Sequence, residues 1–206
     1  FSEMREMEKR SLRACLGKEW LYCDGGTGSL LQEKGLKGGE LPERWNLERP
    51  EDVIEIAESY FRAGADIVNT NTFGANRLHY PDRAELEQIV RAGVRHVREG
   101  LARSGRTDGF VALDLGPTGR LLKPMGDLEF ETCVEIFAEV VRWGKEEGAD
   151  LVLIETMSDA MEAKAAVLAA KENSDLPVFV TVVFDEKGKT LTGGTVESVT
   201  AMLEGL

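Results

Sequence analysis

Two acidic side chains stand where an apolar run gives way to polar residues. Asp24 follows Trp20-Leu21-Tyr22-Cys23, and Glu155 follows Leu151-Val152-Leu153-Ile154. Asp114, with Gly116 close behind it, ends a similar run from Phe110, and Thr70 and Asn71 end one from Asp66. Two carboxylates that converge on one mouth can act as general acid and base, or can hold an ammonium group. Singly, either reads sooner as a helix cap or a solvated loop charge than as a functional group. Their shared position at the ends of apolar runs is what points to chemistry. Asp24 also leads into Gly25-Gly26-Thr27-Gly28, where glycines let the backbone approach a ligand closely. His79 falls in a loop without other metal ligands and His96 on a charged helical face, so both read as surface residues.

The elements that must position these groups repeat. Gly-Ala-Asp-Leu-Val-Leu-Ile-Glu-Thr at 148–156 is a near copy of Gly-Ala-Asp-Ile-Val-Asn-Thr-Asn-Thr at 64–72. In each, an amphipathic pattern ends at a glycine and a short apolar run follows, the signature of a helix feeding a buried parallel strand. Strands are expected over 20–23, 66–70, 110–115, 151–154 and 178–184. Helices are expected over 2–16, 53–63, 84–104, 130–144, 160–172 with Asp159 as cap, and 196–203. A Gly-rich turn and a long polar loop occupy 24–50.

Strand and helix alternate about five times, which predicts an α/β fold with a parallel sheet and right-handed crossovers. The long loops follow strand C-termini, as in a (β/α)8 TIM barrel. An open doubly wound sheet is the rival, but the first turn lacks a well-spaced G-x-G-x-x-G and the polar residues end several strands. A barrel needs eight units, so it is expected to be incomplete here, with the last three strands absent and the first and fifth strands as open edges. Residues 1–206 are read as the N-terminal part of a barrel, with 2–16 as a capping helix. The missing initiator Met fits a chain processed or cut from something longer.

A formal net charge of -12 argues against nucleic acid or an anionic membrane as partner. The charged N-terminus is unlike a secretory signal, no apolar run approaches membrane-spanning length, and a cytoplasmic location is expected. Cys15, Cys23 and Cys133 are widely spaced and form no Cys-x-x-Cys pair, so reduced thiols are expected, with Cys23 a small core residue.

Five motifs in register, spread over nearly the whole chain, carry a resemblance. They are Asp24-Gly25-Gly26-Thr27-Gly28, Asn69 to Gly74, Leu115-Gly116-Pro117-Thr118-Gly119, Ile154-Glu155-Thr156 and Phe184 to Gly193. Together they resemble the homocysteine S-methyltransferase family, and within it the N-terminal homocysteine-binding barrel of bacterial cobalamin-dependent methionine synthases. The resemblance implies a (β/α)8 barrel and methyl transfer to the homocysteine thiol, giving methionine. It implies that Asp24 and Glu155 hold the amino group, while backbone amides around Gly25, Gly26 and Thr27 receive the carboxylate. Thr70, Asn71 and Gly116 would line the pocket.

A free thiol is largely protonated at neutral pH, and the family meets this with zinc held by three cysteines. The resemblance puts those cysteines beyond Leu206. No metal ligand or catalytic residue is therefore expected within this chain, which alone should be inactive. Cobalamin, methyltetrahydrofolate and downstream folate, cobalamin or remaining barrel segments as partners are implied by resemblance alone. Two other readings stand beside it: a non-catalytic barrel fragment or binding module that needs a partner piece, and a metal-free barrel enzyme with Asp24 and Glu155 as acid and base.

Overall fold

The computed structural model describes residues 10–206. Three short helices come first, α1 (Leu12–Cys15), α2 (Thr27–Glu33) and α3 (Trp45–Glu48), with a 3-10 turn at Pro42–Arg44. The regular part then alternates: α4 (Pro50–Ala63), β1 (Ile67–Asn69), α5 (Arg83–Arg103), β2 (Phe110–Leu115), α6 (Phe130–Glu146), β3 (Leu151–Met157), α7 (Ala160–Asn173), β4 (Val178–Val182) and α8 (Val196–Glu204). The four strands are parallel and lie side by side in chain order. Strand order without a reversal is that of a barrel wall, whereas a doubly wound sheet has a switch point. The wall is partial.

The repeated Gly-Ala-Asp has a structural task. Gly64 and Gly148 adopt φ of 104° and 95°, a left-handed conformation that closes the preceding helix and suits glycine. The aspartate two residues on then caps the neighbouring strand. Asp66 Oδ2 accepts from the Tyr22 amide at 2.9 Å, and Asp150 Oδ2 from the Val111 amide at 2.9 Å. Each unit thus fixes its register against the preceding one through one side chain.

The helices cover the sheet with the faces their spacing predicts. On α5, Leu86, Ile89, Val90, Val94 and Val97 are all buried, each such side chain contributing about 1.5–3 kcal/mol over exposure. Its N-terminus is fixed by Asp82, whose carboxylate accepts from the amides of Ala84 and Glu85. Asp159 caps α7 in the same way, accepting from the Met161 amide at 2.9 Å.

Three expectations need correction. The strand over 20–23 is reduced to a single parallel bridge, Cys23 to Ile67. The Tyr22 carbonyl accepts both the Asp66 and Ile67 amides, and the chain then turns away at Gly25-Gly26 into α2. Trp20 and Tyr22 remain 88% and 65% exposed, so no second side supports a longer ladder. Of the helix expected over 2–16, residues 2–9 lie outside the described residues, and the rest contributes only the single turn α1, with Leu12 and Cys15 buried. The stretch read as turn and loop over 24–50 contains α2, the 3-10 turn and α3. Among the described residues, no helix is long and apolar enough to cross a membrane.

Candidate functional site

A cavity of about 860 Å³ opens at the carboxyl ends of the strands. Asp24, Gly25, Gly26, Thr27, Thr70, Asn71 and Glu155 all line it, together with Glu43, Asn69, Phe73 and Asp114. Its far wall is apolar, made by Leu153, Phe179 and Val180. No lysine, arginine or histidine is among these lining residues.

Sheet register brings the acids together. Asn69 pairs with Ala112, and Asp114 pairs with Leu153, so successive strands offer Asp24, Asn69, Asp114 and Glu155 to one mouth. Asp24 Oδ2 accepts from the Asn69 amide at 2.8 Å. Burial pushes the Asp24 carboxyl up to about 6, against the pull of the Asn69 amide and with the push of the Glu155 charge. Asp114 is only 5% exposed, and its Oδ1 meets no hydrogen-bond donor. Burial, then the charge of Glu155, hold the Asp114 carboxyl well above the usual carboxylate range.

Glu155 reaches the mouth because β3 breaks its register there. A bulge lies between Ile154 and Met157, and Thr156 takes φ of 61°, rare for a β-branched residue. Such a conformation costs about 1–3 kcal/mol. It is held by the Thr156 amide donating to Thr181 Oγ1 at 2.9 Å.

Thr70 and Asn71 line the cavity, but Thr70 Oγ1 and Asn71 Nδ2 are already engaged. The Asp114 amide donates to Thr70 Oγ1, Thr70 Oγ1 lies 2.6 Å from Thr72 Oγ1, and Thr72 Oγ1 donates to the Asp114 carbonyl, closing a ring between β1 and β2. Asn71 Nδ2 donates to the Pro42 carbonyl and to Asn46 Oδ1. Both residues shape the wall. Gly116 does not reach it: an added Cβ would lie 2.6 Å from the Phe73 ring, so Gly116 makes room for Phe73, which does line the cavity.

Glu43 was not legible as a site residue. It sits in the 3-10 turn, is buried, and accepts from the Gly74 amide at 2.6 Å and the Tyr80 hydroxyl at 2.8 Å. Pro42 at the first position of that turn was the signal available. Cys23, expected in the core, is exposed and on the cavity rim, because the bridge it belongs to ends the sheet. His96 is half-buried and donates from Nε2 to the Asn46 carbonyl at 2.7 Å, whereas His79 is exposed.

A metal does not fit the residues present. Among the described residues no group of three or more His, Cys, Asp or Glu is arranged to hold one. Cys15, Cys23 and Cys133 belong to α1, the bridge and α6.

The chain over residues 21–206 matches the homocysteine S-methyltransferase family. It is 32% identical over 210 residues to methionine synthase of Mycobacterium leprae (strain TN), a match covering 93% of this chain and 17% of that protein. Crystal structures of the homocysteine methyltransferase MmuM from Escherichia coli share the fold. The oxidized form gives a TM-score of 0.82 at 22% identity, covering 94% of this chain and 73% of that one. The metallated form gives 0.82 at 22% identity, with 94% and 74% covered. The chain thus spans under a fifth of the methionine synthase it matches and about three quarters of MmuM.

Proposed function

Because the chain belongs to the homocysteine S-methyltransferase family, we propose that its cavity binds homocysteine as the acceptor in a methyl transfer that yields methionine. One observation carries this reading: carboxyl groups from neighbouring strands converge on a cavity whose lining, among the described residues, includes no basic side chain. Such a mouth suits a ligand that brings its own cation. The α-ammonium group of homocysteine is that cation, held by Asp24 and Glu155. Its carboxylate is received by backbone amides around Gly25, Gly26 and Thr27, where the start of α2 leaves N–H groups without acceptors in the helix. Thr70 and Asn71 hold the shape of the wall and Gly116 seats Phe73, while the apolar wall of Leu153 and Phe179 faces the thioether-forming end of the substrate.

The reacting thiol must be ionised before it can attack a methyl group. The residues described supply no metal site, and no step is assigned to one. The chain by itself is accordingly proposed to bind homocysteine without methylating it, as the N-terminal part of a barrel in a cytoplasmic protein. Cobalamin and methyltetrahydrofolate as methyl carriers belong to the whole protein and are proposed from the family likeness alone.

The test is calorimetric titration with L-homocysteine and with 4-sulfanylbutanoate, which lacks only the amino group. Homocysteine is expected to bind at least about tenfold more tightly, the value of one hydrogen-bonded charge. Equal affinities would overturn the reading.

A further inference from the structure

Asp114 has no part in the division of labour given above. It lies within β2, nine-tenths or more buried, with Oδ1 lacking a donor and the side chain lining the cavity. The Thr70–Thr72 ring engages its backbone and leaves the carboxyl alone. The titratable groups that face it are acidic from every side: Glu155 on β3, Asp24 at the bridge and Glu43 in the 3-10 turn. The Cys23 thiol is the remaining titratable group on the cavity lining. Burial and the surrounding negative charge hold the Asp114 carboxyl above the usual carboxylate range, and its Oδ1 meets no donor that would favour the ionised form. Asp114 is therefore held as the acid unless a cation takes the place of its proton.

We propose that Asp114 is a third acidic contact for the ammonium group of the substrate, and that the ammonium group takes the place of the proton on this buried carboxyl. This rests on the reading of the cavity as a homocysteine site. An ammonium group carries three N–H donors, and Asp24, Asp114 and Glu155 present three carboxyls from neighbouring positions in the sheet. On binding, the O–H bond of the Asp114 acid breaks and its proton passes to the buffer. An N–H donor of the substrate takes its place, and the substrate itself stays protonated. Binding is thereby coupled to proton release, and amine affinity rises with pH until Asp114 ionises without a ligand.

Calorimetric titration at pH 7.5 in phosphate and in Tris tests this, since the two buffers differ in ionisation enthalpy and the difference in heat counts the protons released. The probes are L-homocysteine and n-propylamine, added to the wild-type chain and to Asp114→Asn. The wild type is expected to release a large fraction of one proton per ligand. Asp114→Asn is expected to bind about ten- to a hundredfold more weakly and to release none. Heats for the wild type that do not depend on the buffer would overturn the proposal without any variant, as would an Asp114→Asn chain that matches wild type in both readouts. Homocysteine binding without proton release leaves the homocysteine reading standing and removes this one. Propylamine binding with proton release, and homocysteine no tighter, keeps Asp114 as an ammonium contact and removes homocysteine. Binding of neither probe overturns both.

Discussion

Asn46 and Asn71 hold each other in a reciprocal pair. Asn46 Nδ2 donates to the Asn71 carbonyl at 2.8 Å, and Asn71 Nδ2 donates back to Asn46 Oδ1 at 3.0 Å. Asn46 also donates to the Ile89 carbonyl, and its own carbonyl receives His96. The pair is buried and pins α3 and the Glu43 turn over the tip of β1. Replacing Asn46 by Ala strands buried carbonyls on two elements. It is expected to cost about 2–6 kcal/mol, from about 1–3 kcal/mol for each of the two groups left unpaired. Urea unfolding measures this; a loss under about 0.5 kcal/mol would mean that the pair is incidental.

Glu155→Gln and Asp24→Asn each keep the shape of the site and remove a charge. Each is expected to weaken homocysteine binding about tenfold or more while leaving 4-sulfanylbutanoate unaffected. Because both contacts serve one group, the double variant should lose less than the sum of the two single losses in free energy. Calorimetry on the four chains with both ligands checks this.

Stability should carry the mark of the buried acid. The Asp24 carboxyl is pushed up to about 6, from an ordinary value of about 4. Between those values the folded chain binds a proton more tightly than the unfolded one, so the contribution of Asp24 is most favourable below about pH 4 and declines as pH rises to about 6. Asp24→Asn escapes this penalty. Its melting temperature is expected to exceed that of wild type at pH 7.5 by about 2–4 °C per kcal/mol relieved, and to lose that advantage at pH 4. An advantage at pH 4 that vanishes at pH 7.5 would contradict the burial argument.

Gly116→Ala would put a methyl group 2.6 Å from the Phe73 ring. The Gly116 amide also donates to the Phe73 carbonyl at 2.9 Å, so the ring cannot retreat without disturbing the backbone. A cost of about 1–3 kcal/mol is expected, together with weaker homocysteine binding as Phe73 leaves the cavity wall. Unfolding and binding measured on the same variant separate the two effects.

Much of this was legible in the sequence for identifiable reasons. β2 is apolar through its length and buried on both faces, so its limits Phe110–Leu115 could be read directly. Gly64 and Gly148 marked where α4 and α6 hand over to strands. Asp24 and Glu155 stood out because polar residues at the exits of apolar runs have no place in a core. What escaped notice depends on partners distant in the chain. Glu43 looks like one more acid in a polar loop until Gly74 and Tyr80 close on it. Thr70 looks like a pocket hydroxyl until Thr72 and Asp114 take both its donor and its acceptor. The bulge that aims Glu155 depends on Thr156 tolerating a conformation its residue type disfavours, and local propensity argues against it. Cys23 seemed a core residue because an apolar run implies a strand flanked on both sides, whereas here the sheet ends at its bridge.

The most direct test of the central claim is a crystal structure of the chain grown with L-homocysteine. The account predicts the ligand nitrogen at hydrogen-bond distance, about 3 Å, from the Asp24 and Glu155 carboxylates, with the ligand carboxylate against the Gly25–Thr27 backbone. A ligand bound in the reverse sense, with its carboxylate among the acids, or homocysteine bound outside this cavity, would contradict it.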